Sequence, residues 1–479
     1  MPEAAMTISV VLINQNVSFG LLESFCQEHP ECWVLVTTQE MFPSEVKRTN
    51  ELSHPPSLIL RDRDLLDETD FVEIDKQVCS AFMTSGRAFA YPDEINEAIL
   101  VRRATILQQR IKLRLKEARV DFFHAHGLGI PAAWWRAQGS TPIQESTEID
   151  PPSTRPRLLE FYEKFRRSER WSHMAFSSGE RYVLGGRLDR IFARLPHDVK
   201  IRTASIGERL RFFSQRCPAT GPGTIRFASP AHDYSPSLRR KTLILQDGHM
   251  PRDYSHSILY SYPKSDSIVP SNPFAEAWII RGGLVPQRIP GFSDPEFSPP
   301  GKVAKSITNV LLVLQHAGDW SPFVYRCDTD RMVIDFIRLA KENPALSFTI
   351  RPHPTMVHPA HEGPRSLDRI RIEIEYSAQP NLTISNGSLE DDFNWANVVV
   401  SEYSQALLEA WRTGRLGIIY NPTGRRSFMK EFEEIGFPRA ESSEDIVRLV
   451  KSARSLSEQQ ETACHNYNRI ISQWRKNCG

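Results

Sequence analysis

The chain has 479 residues and a formal net charge of +1; 40% of its residues are hydrophobic and 24% are charged. This length predicts two large domains, and the composition is that of a folded protein, which excludes a globally disordered chain. The near-neutral charge excludes a general nucleic-acid binder, so any anion site must be local.

The cysteine pattern and the apolar runs bear on the cellular compartment. The seven cysteines are scattered, with no Cys-x-x-Cys spacing, as expected for free thiols in a reducing cytosol. The first residues lack the pattern of a signal peptide, and no apolar run reaches membrane length. We therefore expect a cytoplasmic protein, with peripheral contact to the inner face of the membrane left open.

Apolar runs alternate with helical segments along the first 290 residues. The runs TISVVLIN, WVLVTTQ and SLILRD are strand-like, and residues 94–120 have apolar side chains at helical spacing. A later apolar run, KTLILQ, ends at Asp247 and Gly248. This rhythm is typical of a parallel α/β sheet and predicts a Rossmann-like domain over residues 1–290.

A Pro- and Gly-rich run at residues 285–302 is the best candidate for a domain boundary. Beyond it, apolar runs such as NVLLVLQH, SFTIRPHP and ANVVVSEYS alternate with helical segments, and Gly414 is placed as a helix C-terminal stop. They predict a second Rossmann-like domain over residues 303–455, followed by a helix over 456–479. The predicted fold class is α/β, with two doubly wound domains facing a cleft.

Polar residues at two strand ends of the second half favour an anion site. Arg351 and His353 flank a proline and precede Pro354, so they lie on a stiff extended segment where a cation and an imidazole can grip a phosphate. The chain turns from strand to helix at Ser401 to Ser404, where free N–H groups and two hydroxyls would face an anion. Ligands of open parallel sheets bind at this edge.

A carboxylate ends the apolar run in the first half. Asp247 is a candidate base or nucleophile, and Gly248 leaves its backbone approachable. An ordinary Asp-Gly turn is the alternative interpretation. Arg252 is a weak candidate to bind a carboxylate of the substrate. His126, at another strand end, is a candidate for the acceptor side, and a polar strand terminus explains it equally well.

Three stretches together resemble the bacterial CMP-sugar transferases of capsule and lipopolysaccharide assembly, namely the sialyl- and polysialyltransferases and the Kdo transferases. They are LILQDG, IRPHP and SEYSQALLEA, within residues 241–450. The resemblance implies a GT-B fold and a metal-independent glycosyltransferase that needs no cofactor beyond its CMP-sugar donor substrate. The implied partners are the nucleotide-sugar donor and a glycan or glycolipid acceptor.

The resemblance also implies roles for single residues. The acidic residue before glycine corresponds to Asp247. The His-Pro pair corresponds to His353 and Pro354, at the CMP moiety. The serine corresponds to Ser401 or Ser404, at the phosphate.

One feature departs from the family pattern. Many sialyltransferases carry two acidic residues before the glycine, whereas Gln246 precedes Asp247 here. A single Asp is similar to the retaining Kdo transferases, in which Asp247 would be a nucleophile; in an inverting sialyltransferase it would be the base. Kdo is narrowly preferred over sialic acid as the transferred sugar.

Two alternatives to a CMP-sugar transferase stay open. A CDP-glycerol or CDP-ribitol phosphotransferase also carries a basic-Pro-His-Pro stretch, but typically has His-Gly where this chain has Asp247 and Gly248. A non-catalytic nucleotide-sugar-binding protein of GT-B fold is the second alternative. The Asp-x-Asp pairs at 62–64 and 328–330 are poor candidates for metal ligands, because the second is placed to begin a helix.

Overall fold

The structure is a computed structural model. It describes residues 7–13, 19–28, 30, 32–38, 40–67, 69–70, 73–74, 77–78, 92–115, 119–126, 173–177, 180–185, 200–208, 223–228, 242–246, 267–281, 293–301, 306–315, 329–357, 363–422 and 429–478. The strands in these ranges lie in three sheets.

The first sheet is parallel and has the strand order β3-β2-β1-β4. Its strands are β1 (Thr7–Ile13), β2 (Trp33–Thr37), β3 (Leu58–Arg61) and β4 (Arg119–His126). Its helices are α1 (Phe19–Glu28), α2 (Pro43–Asn50) and α3 (Pro92–Leu115). Val10, Val11 and Leu12 are fully buried, as expected for a strand covered on both faces.

The helix predicted over residues 94–120 is shorter at its C-terminal end than expected. Helix α3 ends at Leu115, and β4 begins at Arg119. The sequence RVDFF within β4 pairs with β1, and its β-branched and aromatic residues favour a strand over continued helix.

The second sheet mixes parallel and antiparallel pairs in the order β10-β9-β8-β6-β5-β7. Its strands are β5 (His173–Ser177), β6 (Glu180–Gly185), β7 (Lys200–Thr203), β8 (Gly223–Ala228), β9 (Thr242–Gln246) and β10 (Ser267–Val269), followed by helix α4 (Pro273–Arg281). Strand β9 is parallel to both of its neighbours, β8 and β10.

The third sheet is parallel, in the order β13-β12-β11-β14-β15-β16. Its strands are β11 (Asn309–Val313), β12 (Ser347–Arg351), β13 (Leu382–Ile384), β14 (Val398–Ser401), β15 (Leu416–Tyr420) and β16 (Arg439–Ala440). This is the strand order of the Rossmann fold.

Helices connect and follow the strands of the third sheet. They are α5 (Thr329–Glu342), α6 (Pro354–Val357), α7 (Gly363–Ser377), α8 (Leu389–Trp395), α9 (Gln405–Arg412), α10 (Lys430–Glu434), α11 (Ser443–Lys451) and α12 (Ala453–Cys478). Gly414 has a φ of 72°, and a Cβ there would lie 2.7 Å from the carbonyl oxygen of Pro299. The predicted helix stop is therefore confirmed.

The chain divides into two compact units. One contains Met1–Pro142 and Ser298–Cys464, with the first and third sheets; the other contains Ile143–Phe297 and His465–Gly479, with the second sheet. The strands within residues 1–290 thus belong to two sheets in different units, so these units and the predicted domain limits divide the chain differently. The break before Ser298 falls inside the Pro- and Gly-rich run 285–302.

Within the first unit, Arg369 of α7 joins the third sheet to the first. Its guanidinium contacts both carboxylate oxygens of Glu45 at 2.5 and 2.7 Å, and Asp330 of α5 at 3.2 Å. It also lies over the ring of Phe42, 4.8 Å from the centroid. Burial opposes the charge of Arg369, but Asp330 and Glu45 outweigh it and raise its pKa above the ordinary value.

The N-terminal end of α2 is built into this joint. Phe42 is fully buried and belongs to the hydrophobic core of the third sheet. Its N–H donates to Glu45 at 2.8 Å, and the N–H of Ser44 donates to Glu373 of α7 at 3.0 Å. The apolar contact and the paired charges together fix the first sheet against the third.

The predicted α/β class with Rossmann-like, doubly wound parallel sheets is confirmed. Among the helices that the structure describes, none combines the length and the apolar character that a membrane crossing requires.

Candidate nucleotide site at the third sheet

The strand order creates a switch point between β11 and β14. Strands β12 and β13 lie on one side of β11, and strands β14 to β16 lie on the other. The connections that leave β11 and β14 therefore run in opposite directions and open a crevice at the carboxyl ends of these two strands. Nucleotides bind to Rossmann-type sheets in this crevice.

Arg351, the last residue of β12, is engaged with the neighbouring strand end. Its guanidinium forms an ion pair with Asp392 of α8 and donates to the carbonyl oxygen of Gly387 at 3.0 Å. The hydroxyl of Ser385, just after β13, lies 2.7 Å from each carboxylate oxygen of Asp392. The charge of Arg351 is thus neutralised locally, and the ends of β12 and β13 are tied together.

The corner after β12 brings His353 to the carboxyl edge of the sheet. Pro352 is buried, His353 is half-buried, and Pro354 is exposed at the first position of α6, where a missing N–H costs nothing. The N–H of Met356 donates to the carbonyl oxygen of His353 at 2.9 Å, and the side chain of Met356 is fully buried. His353 is therefore held at the carboxyl edge of the sheet, after β12, by an anchored corner.

The two serines after β14 have different surroundings. Ser401 is fully buried, and its hydroxyl lies 2.8 Å from the carbonyl oxygen of Val313. Ser404 is half-buried and is the N-cap of α9, where its hydroxyl accepts from the N–H of Ala406 at 3.2 Å. The structure thus places Ser401 between strands and leaves Ser404 at the crevice.

Gln315, two residues after β11, is a site residue that the sequence analysis missed. It is buried, and its neighbours orient the amide oxygen toward the turn after β14. There it accepts from the N–H of Ser404 at 2.9 Å and of Tyr403 at 3.3 Å, and it lies 2.5 Å from the Ser401 hydroxyl. The free N–H groups predicted at Tyr403 and Ser404 are therefore already bonded.

No sequence signal singles out Gln315 as functional. It stands at the end of the apolar run NVLLVLQH, where a polar residue usually marks only the end of a strand. A buried amide at the carboxyl end of the central strand of a Rossmann-type sheet becomes informative once the strand order is known.

Several predicted site residues lie outside the described residues: Asp247, Gly248 and Arg252. The strand before them is described, and β9 ends at Gln246 between two parallel neighbours. Asp247 therefore directly follows the carboxyl end of an internal strand. His126 is the last residue of β4 and pairs with Ile13 of β1.

One described residue from each acidic pair has a structural partner. Asp330 lies in the first turn of α5, as predicted, and its carboxylate pairs with Arg369 at 3.2 Å. Asp64 lies in a 3-10 turn (Asp62–Asp64) and pairs with Arg61 at 2.7 Å. Within the part of the chain that the structure describes, no three His, Cys, Asp or Glu residues are grouped as metal ligands.

The chain matches no family model and no curated protein sequence. Among solved structures, a variant of the wall teichoic acid polymerase TagF superposes with a TM-score of 0.34 and 12% identity, over 54% of this chain and 72% of that chain.

Two other solved structures cover nearly the whole chain at the same low level. A putative UDP-N-acetylglucosamine 2-epimerase from Listeria monocytogenes gives a TM-score of 0.31 and 9% identity, over 99% of this chain and 94% of that chain. HepE from Anabaena in complex with UDP gives a TM-score of 0.30 and 8% identity, over 97% of this chain and 95% of that chain. Similarity at this level establishes neither a common fold nor a common activity.

Proposed function

We propose that the protein is a GT-B glycosyltransferase that transfers a 2-keto sugar acid, with Kdo preferred over sialic acid, from a CMP-activated donor to a surface-glycan acceptor. One observation carries the nucleotide-binding half of this proposal. The third sheet has Rossmann strand order, and at its switch point Gln315, which follows β11, contacts the turn after β14.

In this proposal His353 and the first turn of α9 hold the donor phosphate. The imidazole is kept at the carboxyl edge by the Pro352–Pro354 corner, and Ser404 begins the helix whose N-terminal dipole favours negative charge. When the bond between the anomeric carbon and the phosphate oxygen breaks, CMP departs with extra negative charge. These groups would stabilise that charge as it develops.

Asp247 supplies the carboxylate in the proposed reaction. As a base, it would take the proton of the acceptor hydroxyl while that oxygen bonds to the anomeric carbon and CMP leaves. As a nucleophile, it would first form a glycosyl ester and release CMP. The acceptor oxygen would then bond to the anomeric carbon and displace the carboxylate, while the hydroxyl proton passes to solvent. The resemblance to CMP-sugar transferases supports both routes equally.

A donor-hydrolysis screen tests the activity. Purified protein is incubated with CMP-Kdo, CMP-sialic acid and CDP-glycerol, and NMR records which donor is consumed and the anomeric configuration of the product. Consumption of CMP-Kdo is expected; consumption of CDP-glycerol alone would show a polyol phosphotransferase instead. Binding of CMP without turnover, for any acceptor tried, would show a binding protein.

A matched pair of variants tests the carboxylate. Asp247→Ala is expected to lower turnover about a thousandfold or more, because the base or nucleophile is lost. Asp64→Ala makes the same change after another strand, at a residue paired with Arg61, and should keep wild-type turnover. Equal turnover in the two variants would remove Asp247 from the mechanism.

A further inference from the structure

Gln315 connects the central strand of the third sheet to the turn that begins α9. The residue is 3% exposed, and its amide oxygen accepts from two successive N–H groups, those of Tyr403 and Ser404. The first N–H groups of a helix have no partner inside the helix. A side chain that follows β11 therefore holds the turn that leads into α9.

The neutrality of this side chain matters at an anion site. A carboxylate would accept the same two hydrogen bonds and usually does so at helix N-termini. It would also place a negative charge beside the position proposed for the donor phosphate. A buried amide holds the turn without that repulsion.

We propose that Gln315 is a positioning residue for the nucleotide phosphate: its neutral amide fixes the Ser401–Ser404 turn so that α9 and Ser404 face the phosphate. This inference rests on the proposed function for the location of the phosphate. It adds a residue just after β11 to the site and states why that residue is an amide.

The chain offers a matched control at the opposite edge of the same sheet. Gln460 of α12 is also fully buried, and its amide accepts from the N–H of Gly417 at 2.8 Å and donates to the carbonyl oxygen of Arg415 at 2.6 Å. Both atoms belong to the amino end of β15. The NH2 groups of Gln315 and Gln460 both face acceptors, so Gln→Glu has a similar structural cost at the two positions.

The experiment compares Gln315→Glu with Gln460→Glu in the full chain. Binding of CMP and of cytidine is measured for both variants and the wild type, and melting temperature is recorded for each. Gln315→Glu should weaken CMP binding about tenfold or more and leave cytidine binding within about twofold, since only CMP carries the phosphate. Gln460→Glu should lose a similar amount of thermal stability and keep the wild-type ratio of the two affinities.

A second variant keeps the test decisive if Gln315→Glu does not fold. Gln315→Met keeps the side-chain volume, removes the acceptor and adds no charge, so CMP binding should still weaken relative to cytidine because the turn loses its anchor. Tighter CMP binding by Gln315→Met would overturn the inference, because the amide would then be competing with the phosphate for the N–H groups. An unchanged affinity ratio in both Gln315 variants would also overturn it.

The nucleotide that the wild-type protein binds tests the proposed function separately from the role of Gln315. Wild-type protein that binds UMP and not CMP would refute the CMP-sugar proposal, and the same ratio measured with UMP and uridine would still decide the role of Gln315. Wild-type protein that binds no nucleotide would overturn both proposals.

Discussion

The two edges of the third sheet carry similar polar residues that do different work. At the amino edge, Asn397 accepts from the N–H groups of Thr308 and Asn309 at 2.9 and 3.0 Å. The amide of Gln460 accepts one hydrogen bond from the main chain at the start of β15 and donates another to it. Each of these amides completes the main-chain hydrogen bonding of one strand start.

At the carboxyl edge the polar side chains bond to the turns and helix that follow neighbouring strands, not to strand starts. Gln315 reaches from β11 to the turn after β14, and Arg351 reaches from β12 to Asp392. Burial and residue type are alike at the two edges, so neither separates structural groups from ligand-binding ones. In the proposed function, position relative to the switch point separates them, and the predictions below test that distinction.

The largest loss of stability is expected at the amino edge. Gln460→Leu leaves the buried N–H of Gly417 and the carbonyl of Arg415 without a partner, at a cost of about 4 kcal/mol. CMP affinity of the folded variant should equal that of the wild type. Urea unfolding and calorimetric titration measure the two quantities, and a weakened CMP affinity would contradict the division between the edges.

Arg351→Met should cost about 3 kcal/mol, because the buried carboxylate of Asp392 loses its cation and keeps the hydroxyl of Ser385. The double variant Arg351→Met with Asp392→Asn should recover about half of that loss. If Arg351 also binds the phosphate, the double variant regains stability, but its CMP affinity stays below that of the wild type. Recovery of both the stability and the CMP affinity would show that Arg351 serves structure alone.

Ser401→Ala removes a fully buried hydroxyl between β14, β11 and Gln315. We expect a loss of about 2 kcal/mol, since a buried hydroxyl and its hydrogen bonding are lost. CMP affinity should fall as well, because the turn that begins α9 is loosened. A variant with reduced stability and unchanged CMP affinity would place Ser401 with the structural residues of the amino edge.

The smallest effect is expected at Tyr420, which ends β15 and serves structure although it lies at the carboxyl edge. Its hydroxyl donates to Asp335 at 2.6 Å, and Tyr420→Phe should cost about 1 kcal/mol. Burial, followed by the charge of Asp335, raises the pKa of the Tyr420 phenol.

The pH dependence of the Tyr420 contribution follows from that shift. Because the folded-state pKa is raised, the stabilisation is complete below the unfolded pKa of about 10 and is lost as pH rises above it. Unfolding of wild type and Tyr420→Phe at neutral and at alkaline pH should show the difference shrinking. A constant difference would mean that the phenol does not titrate differently in the two states.

Sequence reasoning located the strands of the third sheet because each apolar run stops at a strong local signal. Pro352 and Pro354 end one run, and Gly414 closes a helix at a positive φ. Strand ends of this kind are set by neighbours in the sequence, so a single chain is enough to find them.

The missed features depend on partners that are distant in the sequence. Gln315 meets the Ser401–Ser404 turn 86 or more residues away, and Arg351 meets Asp392 41 residues away. Arg369 and Glu45 are separated by 324 residues. No periodicity or spacing reports such contacts, because they arise only when the strand order is fixed.

The pairing of Arg369 with Glu45 and Asp330 limits how this polypeptide can be cut into pieces for expression. A fragment that starts at Ser298 would keep a buried guanidinium and lose one of its two carboxylates, together with the phenyl ring that fills the core beneath it. Residues 1–142 and 298–464 therefore have to be produced together, although more than 150 residues of the chain separate the two segments.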